Sequence, residues 1–336
     1  MRQSQSLTRS EEASLPNRRI WRGLYVALAT PLADEGTPHL GLLAARAQAL
    51  LAQGCDGIAL FGTTGEGPAF PVAERSAGLE ALLAAGVPPE RLVVATSATA
   101  AGDALALTRH ALTLGVSEIL LTPPFFLKAV DDDGLFRFYA EHIARAGSTR
   151  LRLLLYHIPS VTGIALGPEL IERLAIAFPE VVIGVKDSGA DWPFTRQLLG
   201  RFPQLEILCG EETHLLQALA QGGAGTICGM ANFMPELLRH LIDRRESGAG
   251  AVLLERLCAL SARIERTASF HRALRVLIAE VTGEPAWLRC LPPMSPLPEG
   301  SRRALVADFH ELIAGSIVPG ADAGRQPPTP GPILGH

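Results

Sequence analysis

Apolar residues recur along this chain in two alternating rhythms. Short, nearly continuous apolar runs cover 24–29, 57–61, 92–96, 118–122, 152–156, 181–186, 206–209 and 225–228. Between them lie longer stretches in which apolar positions return at i, i+3 and i+4, among them 40–53, 73–85, 104–114, 134–146, 169–178 and 212–221. Runs that are apolar at nearly every position have both faces buried, as parallel strands covered by helices do. Eight strand and helix units within about 250 residues predict an α/β protein with a closed parallel TIM (β/α)8 barrel. An open, doubly wound sheet would carry a similar alternation, but it more often shows a Gly-x-Gly-x-x-Gly turn after its first strand. Here that strand is followed by Thr30-Pro31-Leu32.

Beyond the eighth run, helical spacing continues over 236–245, 251–269, 271–282 and 302–314, more than the last barrel position requires. The expected organisation is a disordered N-terminal extension over 1–19, a barrel over 20–246, a small C-terminal helical subdomain over 247–317 and a disordered tail over 318–336. The tail is dense in Pro and Gly and lacks apolar periodicity.

Composition narrows the function classes. With 48% hydrophobic and 19% charged residues and a formal net charge of −4, the chain has apolar material for a sizeable core. It has no Lys/Arg cluster that would neutralise a row of phosphates, so a nucleic-acid partner is not expected. Cys55, Cys209, Cys228, Cys258 and Cys290 are scattered without a Cys-x-x-Cys pair. Reduced, mostly buried thiols follow, rather than a disulfide framework or a zinc knuckle. The first 19 residues contain no apolar run of signal-peptide length, and no stretch reaches the roughly 18 apolar residues of a membrane span. A cytoplasmic protein without a membrane partner is the expectation.

In a (β/α)8 barrel the reactive groups sit at the C-terminal ends of the strands, where the βα loops converge. Lys186 ends an apolar run, a position at which burial favours a neutral, nucleophilic amine. A lysine there also pairs readily with a neighbouring carboxylate such as Asp187. Tyr156 ends the preceding strand, where it serves either as a core tyrosine or as a proton relay in the same cavity. The run Gly62-Thr63-Thr64-Gly65-Glu66 offers two hydroxyls and several backbone N–H groups on a glycine-permissive turn, suited to a small carboxylate or simply to a structural turn.

Three motifs in order carry a family resemblance. From about Gly23 to Arg302 the chain resembles the dihydrodipicolinate synthase and N-acetylneuraminate lyase family of class I pyruvate-type aldolases. Gly62-Thr63-Thr64-Gly65-Glu66 is similar to its carboxylate-binding loop, Tyr156-His157-Ile158-Pro159-Ser160-Val161-Thr162-Gly163 to its tyrosine motif, and Gly184-Val185-Lys186-Asp187-Ser188 to its Schiff-base motif. The resemblance implies that Lys186 forms an imine with pyruvate or a pyruvyl moiety, that Tyr156 shuttles protons, and that Thr63 relays or orients them. It further implies that Thr64, with Gly62 and Gly65 in its loop, binds the carboxylate of the 2-oxo acid, and that Ile227 lines the pyruvate site. It also implies a homodimer or homotetramer with Phe126 near a subunit contact.

Two departures bear on substrate. Dihydrodipicolinate synthases carry an arginine where Val161 stands, holding the second carboxylate of aspartate semialdehyde, and a tyrosine where Phe126 stands. The expectation is therefore a Schiff-base lyase acting on a 4-hydroxy-2-oxo acid or a 3-deoxy-2-oxo sugar acid, by C–C cleavage or formation or by loss of water, with no cofactor. The alternatives are 4-hydroxy-tetrahydrodipicolinate synthase itself and a non-catalytic 2-oxo acid binding protein. A metal-dependent aldolase finds no support, because the histidines include no closely spaced pair at strand ends.

Overall fold

The computed structural model describes residues 22–245, 248–267 and 269–314. The segments expected to be disordered, 1–19 and 318–336, lie outside the described residues. Eight strands, β1 (Gly23–Ala27), β2 (Gly57–Leu60), β3 (Leu92–Ala95), β4 (Glu118–Leu121), β5 (Arg152–His157), β6 (Val182–Asp187), β7 (Glu206–Cys209) and β8 (Gly225–Cys228), pair in sequence order. All pairs are parallel, and β8 returns to β1, with Gly23 opposite Gly225, to close the barrel. Every apolar run became a strand, with ends displaced by at most two residues.

Helices α1 (Leu40–Ala52), α2 (Val72–Ala84), α3 (Ala101–Thr113), α4 (Asp132–Ala146), α5 (Pro159–Thr162), α6 (Pro168–Ala177), α7 (Trp192–Arg201), α8 (Leu215–Ala220) and α9 (Pro235–Asp243) follow the strands. Then come α10 (Gly248–Thr267), α11 (Phe270–Thr282) and α12 (Glu299–Ala314). Local chemistry sets several starts: Asp131 accepts a hydrogen bond from Gly134 N at the head of α4, and His39 accepts one from Leu42 N at α1. The stretch read as helical over 212–221 begins instead as a 3-10 turn, Glu212–His214. At α7 the alternation of strands and helices calls for a helix, but no periodic stretch marks its bounds. Only Thr195, Leu198 and Leu199 of it are buried, an apolar stripe too narrow to stand out.

Alternation along the strands builds two cores. Leu24, Val26, Ile58, Leu60, Val94 and Leu153 point outward against the helices. Tyr25, Ala27, Ala59, Val93, Leu120, Leu154, Leu208 and Ile227 fill the barrel interior. Strand β6 breaks this rule once. Val182 and Val185 both belong to the outer core although they stand three positions apart, which strict alternation forbids. The pairing with β5 shifts at that point, from Leu153 opposite Val182 to Leu154 opposite Gly184, so one extra residue is absorbed as a bulge. Gly184 permits it, because a Cβ there would lie 2.2 Å from the Glu206 carbonyl oxygen. After the bulge Lys186 faces the barrel interior, whereas uninterrupted alternation would send it outward with Val182.

Candidate active site

Lys186 and Tyr156 stand opposite each other at the ends of β6 and β5, and both are almost wholly buried. Lys186 Nζ donates to the Tyr156 hydroxyl at 3.1 Å and lies 4.3 Å from the centre of its ring. The Thr63 hydroxyl stands 3.2 Å from the same phenol oxygen, so Lys186, Tyr156 and Thr63 form one continuous polar chain. Burial raises the Tyr156 pKa, but Lys186 and hydrogen bonds from Thr63, Lys186 and Ser188 together outweigh it, and the phenol ionises below its ordinary range.

The neighbouring carboxylate does not claim the lysine. Asp187 accepts from Gly189 N at 3.0 Å and from the Thr195 hydroxyl at 2.6 Å, which turns it away from the barrel axis. His157 likewise faces the helices: its Nδ1 accepts from Leu166 N at 3.1 Å and its ring stacks on Phe194 at 4.4 Å. Burial depresses the His157 pKa despite Asp187 and Asp191, so it reads as a neutral structural histidine. Asn232, polar and at the end of β8, is structural as well. Its side chain donates to Ala27 O and Gly229 O at 2.7 and 2.8 Å and accepts from Ala29 N at 3.0 Å, joining the first and last strands.

The loop after β2 is over-determined. Phe61 and Glu66 at its two ends adopt left-handed φ values of 57° and 55°. A Cβ at Gly67 would lie 1.9 Å from Phe61 O, so only glycine lets the loop close. Thr30 donates its hydroxyl to Gly65 O at 2.7 Å. From α11, His271 Nε2 meets Thr63 O at 2.9 Å, and Arg275 forms a buried ion pair with Glu66. Gly62 opens onto empty space, with nothing within 4 Å of where a Cβ would stand. Gly65 packs against Leu28 O instead, and the Thr64 hydroxyl lies toward Gly229.

Above the phenol lies a cavity of about 320 Å3 lined by Gly62, Thr63, Tyr156, Ser97, Thr122, Phe125, Val161, His271 and the segment Leu291–Met294, among others. The structure thus gathers Lys186, Tyr156, Thr63 and Gly62 at one point and places Val161 on the rim. Ile227 is fully enclosed in the barrel interior. Phe126 does not reach the cavity: its side chain is 73% exposed, and its neighbour Phe125 lines the wall. Sequence reading missed Ser97, Thr122, His271, Arg275 and the 291–294 segment. Strand-end position pointed to Thr122 and marked Ser97 weakly, but nothing local marked the others: His271 and Arg275 meet the β2 loop across more than 200 residues of chain, and Leu291–Met294 shares only the cavity wall with it. Among the described residues no cluster of three His, Cys, Asp or Glu side chains could hold a metal ion.

Comparison with known proteins agrees with the fold. The chain matches the model of the dihydrodipicolinate synthetase family over residues 21–312. An uncharacterised DapA-like lyase of Chloroflexus aurantiacus is 33% identical over 309 residues, covering 88% of this chain and 98% of the relative. The crystal structure of dihydrodipicolinate synthase from Agrobacterium tumefaciens superposes with a TM-score of 0.81 at 36% identity, covering 86% of this chain and 99% of that one. YagE of Escherichia coli K12, a prophage protein solved in complex with pyruvate, superposes with a TM-score of 0.78 at 26% identity, covering 87% and 98%. A closed eight-stranded barrel, a strand-end lysine beside a buried tyrosine, and a family match over nearly the whole described chain lead to one assignment: this chain belongs to the dihydrodipicolinate synthetase family and is a lyase of that family.

Proposed function

We propose that the protein is a Schiff-base-forming aldolase or dehydratase acting on pyruvate or a related 2-oxo acid. The single observation that carries this reading is the polar chain Lys186–Tyr156–Thr63, of which Tyr156 and Thr63 line the cavity and Lys186 lies behind the phenol. Lys186 Nζ attacks the C2 carbonyl to give a carbinolamine, which loses water to form an iminium. The iminium withdraws the electron pair released when a C3 proton, or the C3–C4 bond, is lost. Tyr156 carries protons to and from the carbinolamine oxygen, with Thr63 holding the phenol in place. The carboxylate of the 2-oxo acid is received by the Gly62–Thr64 turn. The pyruvate complex of YagE supports the ligand class.

Lysine biosynthesis is the second reading, favoured by relatives such as the 31%-identical 4-hydroxy-tetrahydrodipicolinate synthase of Anaeromyxobacter. It would require a cation for the second carboxylate of aspartate semialdehyde. Val161 occupies the expected position, and no Arg or Lys is among the described residues lining the cavity. Phe126, Leu127 and Val161 are 73%, 67% and 56% exposed, an apolar patch that fits a contact with a second copy in a homodimer or homotetramer. No helix of the described residues is long and apolar enough to cross a membrane.

The test is chemical trapping. Pyruvate with borohydride is expected to leave a stable secondary amine on the peptide containing Lys186, and Lys186→Arg is expected to abolish it while the protein stays folded. Modification at another residue, or none, would overturn the mechanism.

A further inference from the structure

The upper row of the barrel interior holds two hydroxyls that neither the fold nor the Schiff-base chemistry consumes. Thr122 stands one residue beyond the pairing of Leu121 with Leu155, beside Tyr156, and shares the inward parity of Leu120. It is 7% exposed and lines the cavity, and its Oγ1 is fully enclosed without a hydrogen-bond partner. Ser97, 6% exposed and also lining the cavity, accepts from Thr122 N at 3.0 Å, which leaves its own proton to donate. A buried hydroxyl without a partner is uncommon in a native structure and calls for an explanation such as a ligand.

Other polar side chains on the wall are engaged with protein partners. Thr162 donates to Ile158 O and Ile164 O, Glu66 holds Arg275, and His271 Nε2 is bonded to Thr63 O. The rest of the upper wall is apolar, formed by Phe125, Val161, Leu291, Pro293 and Met294. Lys128 fixes Phe125 and the Val161 turn together by donating to Phe125 O and Thr162 O. At about 320 Å3 the cavity reaches the lower end of the roughly 300–1,000 Å3 typical of ligand sites, room for considerably more than a three-carbon acid.

We infer that the carbonyl partner in this site is an aldehyde with an apolar tail, aryl or branched alkyl, whose oxygen is received by Thr122 and Ser97. This assignment rests on the Schiff-base reading above. In the synthetic direction the C3 carbon of the Lys186-bound enamine attacks the aldehyde carbon and the C3–C4 bond forms. The aldehyde oxygen takes up one proton to become the 4-hydroxyl, matching the proton lost from C3. Hydrolysis returns the water released on imine formation and frees a 4-hydroxy-2-oxo acid. A sugar-derived aldehyde would bring three or more hydroxyls against an upper wall formed mainly by Phe125, Val161, Leu291, Pro293 and Met294, and those facing it would lose their water without replacement.

The experiment uses the full-length protein and measures pyruvate release from 4-hydroxy-2-oxo-4-phenylbutanoate, from its 4-isopropyl analogue and from 3-deoxy-2-oxo-D-gluconate, beside borohydride trapping with pyruvate. At least a tenfold higher kcat/KM is expected for an apolar-tailed acid. Thr122→Val is expected to lower that value at least tenfold and Thr122→Ser to retain most of it, while Met294→Gln narrows the preference over the sugar acid. Trapping on Lys186 combined with equal or better turnover of the sugar acid, with turnover of neither class, or with an unaffected Thr122→Val enzyme would overturn this assignment alone. Absence of trapping would overturn the Schiff-base reading and the assignment together.

Discussion

A phenol enclosed in a barrel interior ought to resist ionisation, yet Tyr156 is shifted the other way because the charge of Lys186 and hydrogen bonds from Thr63, Lys186 and Ser188 act on its oxygen. The sign has a kinetic consequence. If Tyr156 must carry its proton in one step, the alkaline limb of kcat/KM falls below the ordinary tyrosine value of about 10. Thr63→Val removes one bond that favours the phenolate, so the limb moves upward in pH. A limb that stays put or moves down in the pH profile would refute this account. Tyr156→Phe keeps the ring under Lys186 and removes the relay, for an expected loss of roughly 10²- to 10⁴-fold in kcat, measured by steady-state pyruvate release.

At the scale of single elements, two devices hold Lys186 and the loop after β2 in place. The bulge in β6 is what turns Lys186 inward, and it depends on the missing side chain at Gly184. Gly184→Ala drives a methyl into the Glu206 carbonyl, and the overpacking costs about 1–3 kcal/mol by urea denaturation, together with slower imine trapping as the lysine is displaced. Normal stability and trapping in that variant would show that the strand absorbs the methyl without moving. The second device ties α11 to the loop after β2 through the buried pair Arg275–Glu66. Arg275→Met leaves Glu66 enclosed without its counter-charge, a loss of about 3–5 kcal/mol. A double variant that also carries Glu66→Gln is expected to recover part of that loss in the same urea titration.

At the scale of the molecule, helices beyond the barrel close over its mouth: α11 supplies His271 and Arg275, and the connection to α12 supplies Leu291–Met294. On the loop after β4, Phe126 and Leu127 remain exposed. Phe126→Asp is expected to weaken self-association, so that light scattering at micromolar concentration reports a smaller mass than for the unsubstituted protein. A monomeric unsubstituted protein would remove the basis for this prediction.

The barrel was legible because strands buried on both faces must be apolar at nearly every position and the covering helices must be apolar on one side, and both patterns are local. The place of Lys186 and Tyr156 at strand ends was legible for the same reason. The bounds of helix α7 were not, since burying two leucines and a threonine leaves almost no periodic trace. Nor could spacing reveal that Lys186 faces inward, because its parity depends on a bulge that exists only when β6 pairs with β5. The partners of Glu66 and Thr63 lie 209 and 208 residues away, and the Thr122 N–H reaches the Ser97 hydroxyl only when β3 and β4 stand side by side. Local periodicity determined which residues are buried and in what elements. Barrel closure alone decided which buried polar groups meet, because such contacts depend on strand register and helix docking, and neither is encoded in the order of neighbours along the chain.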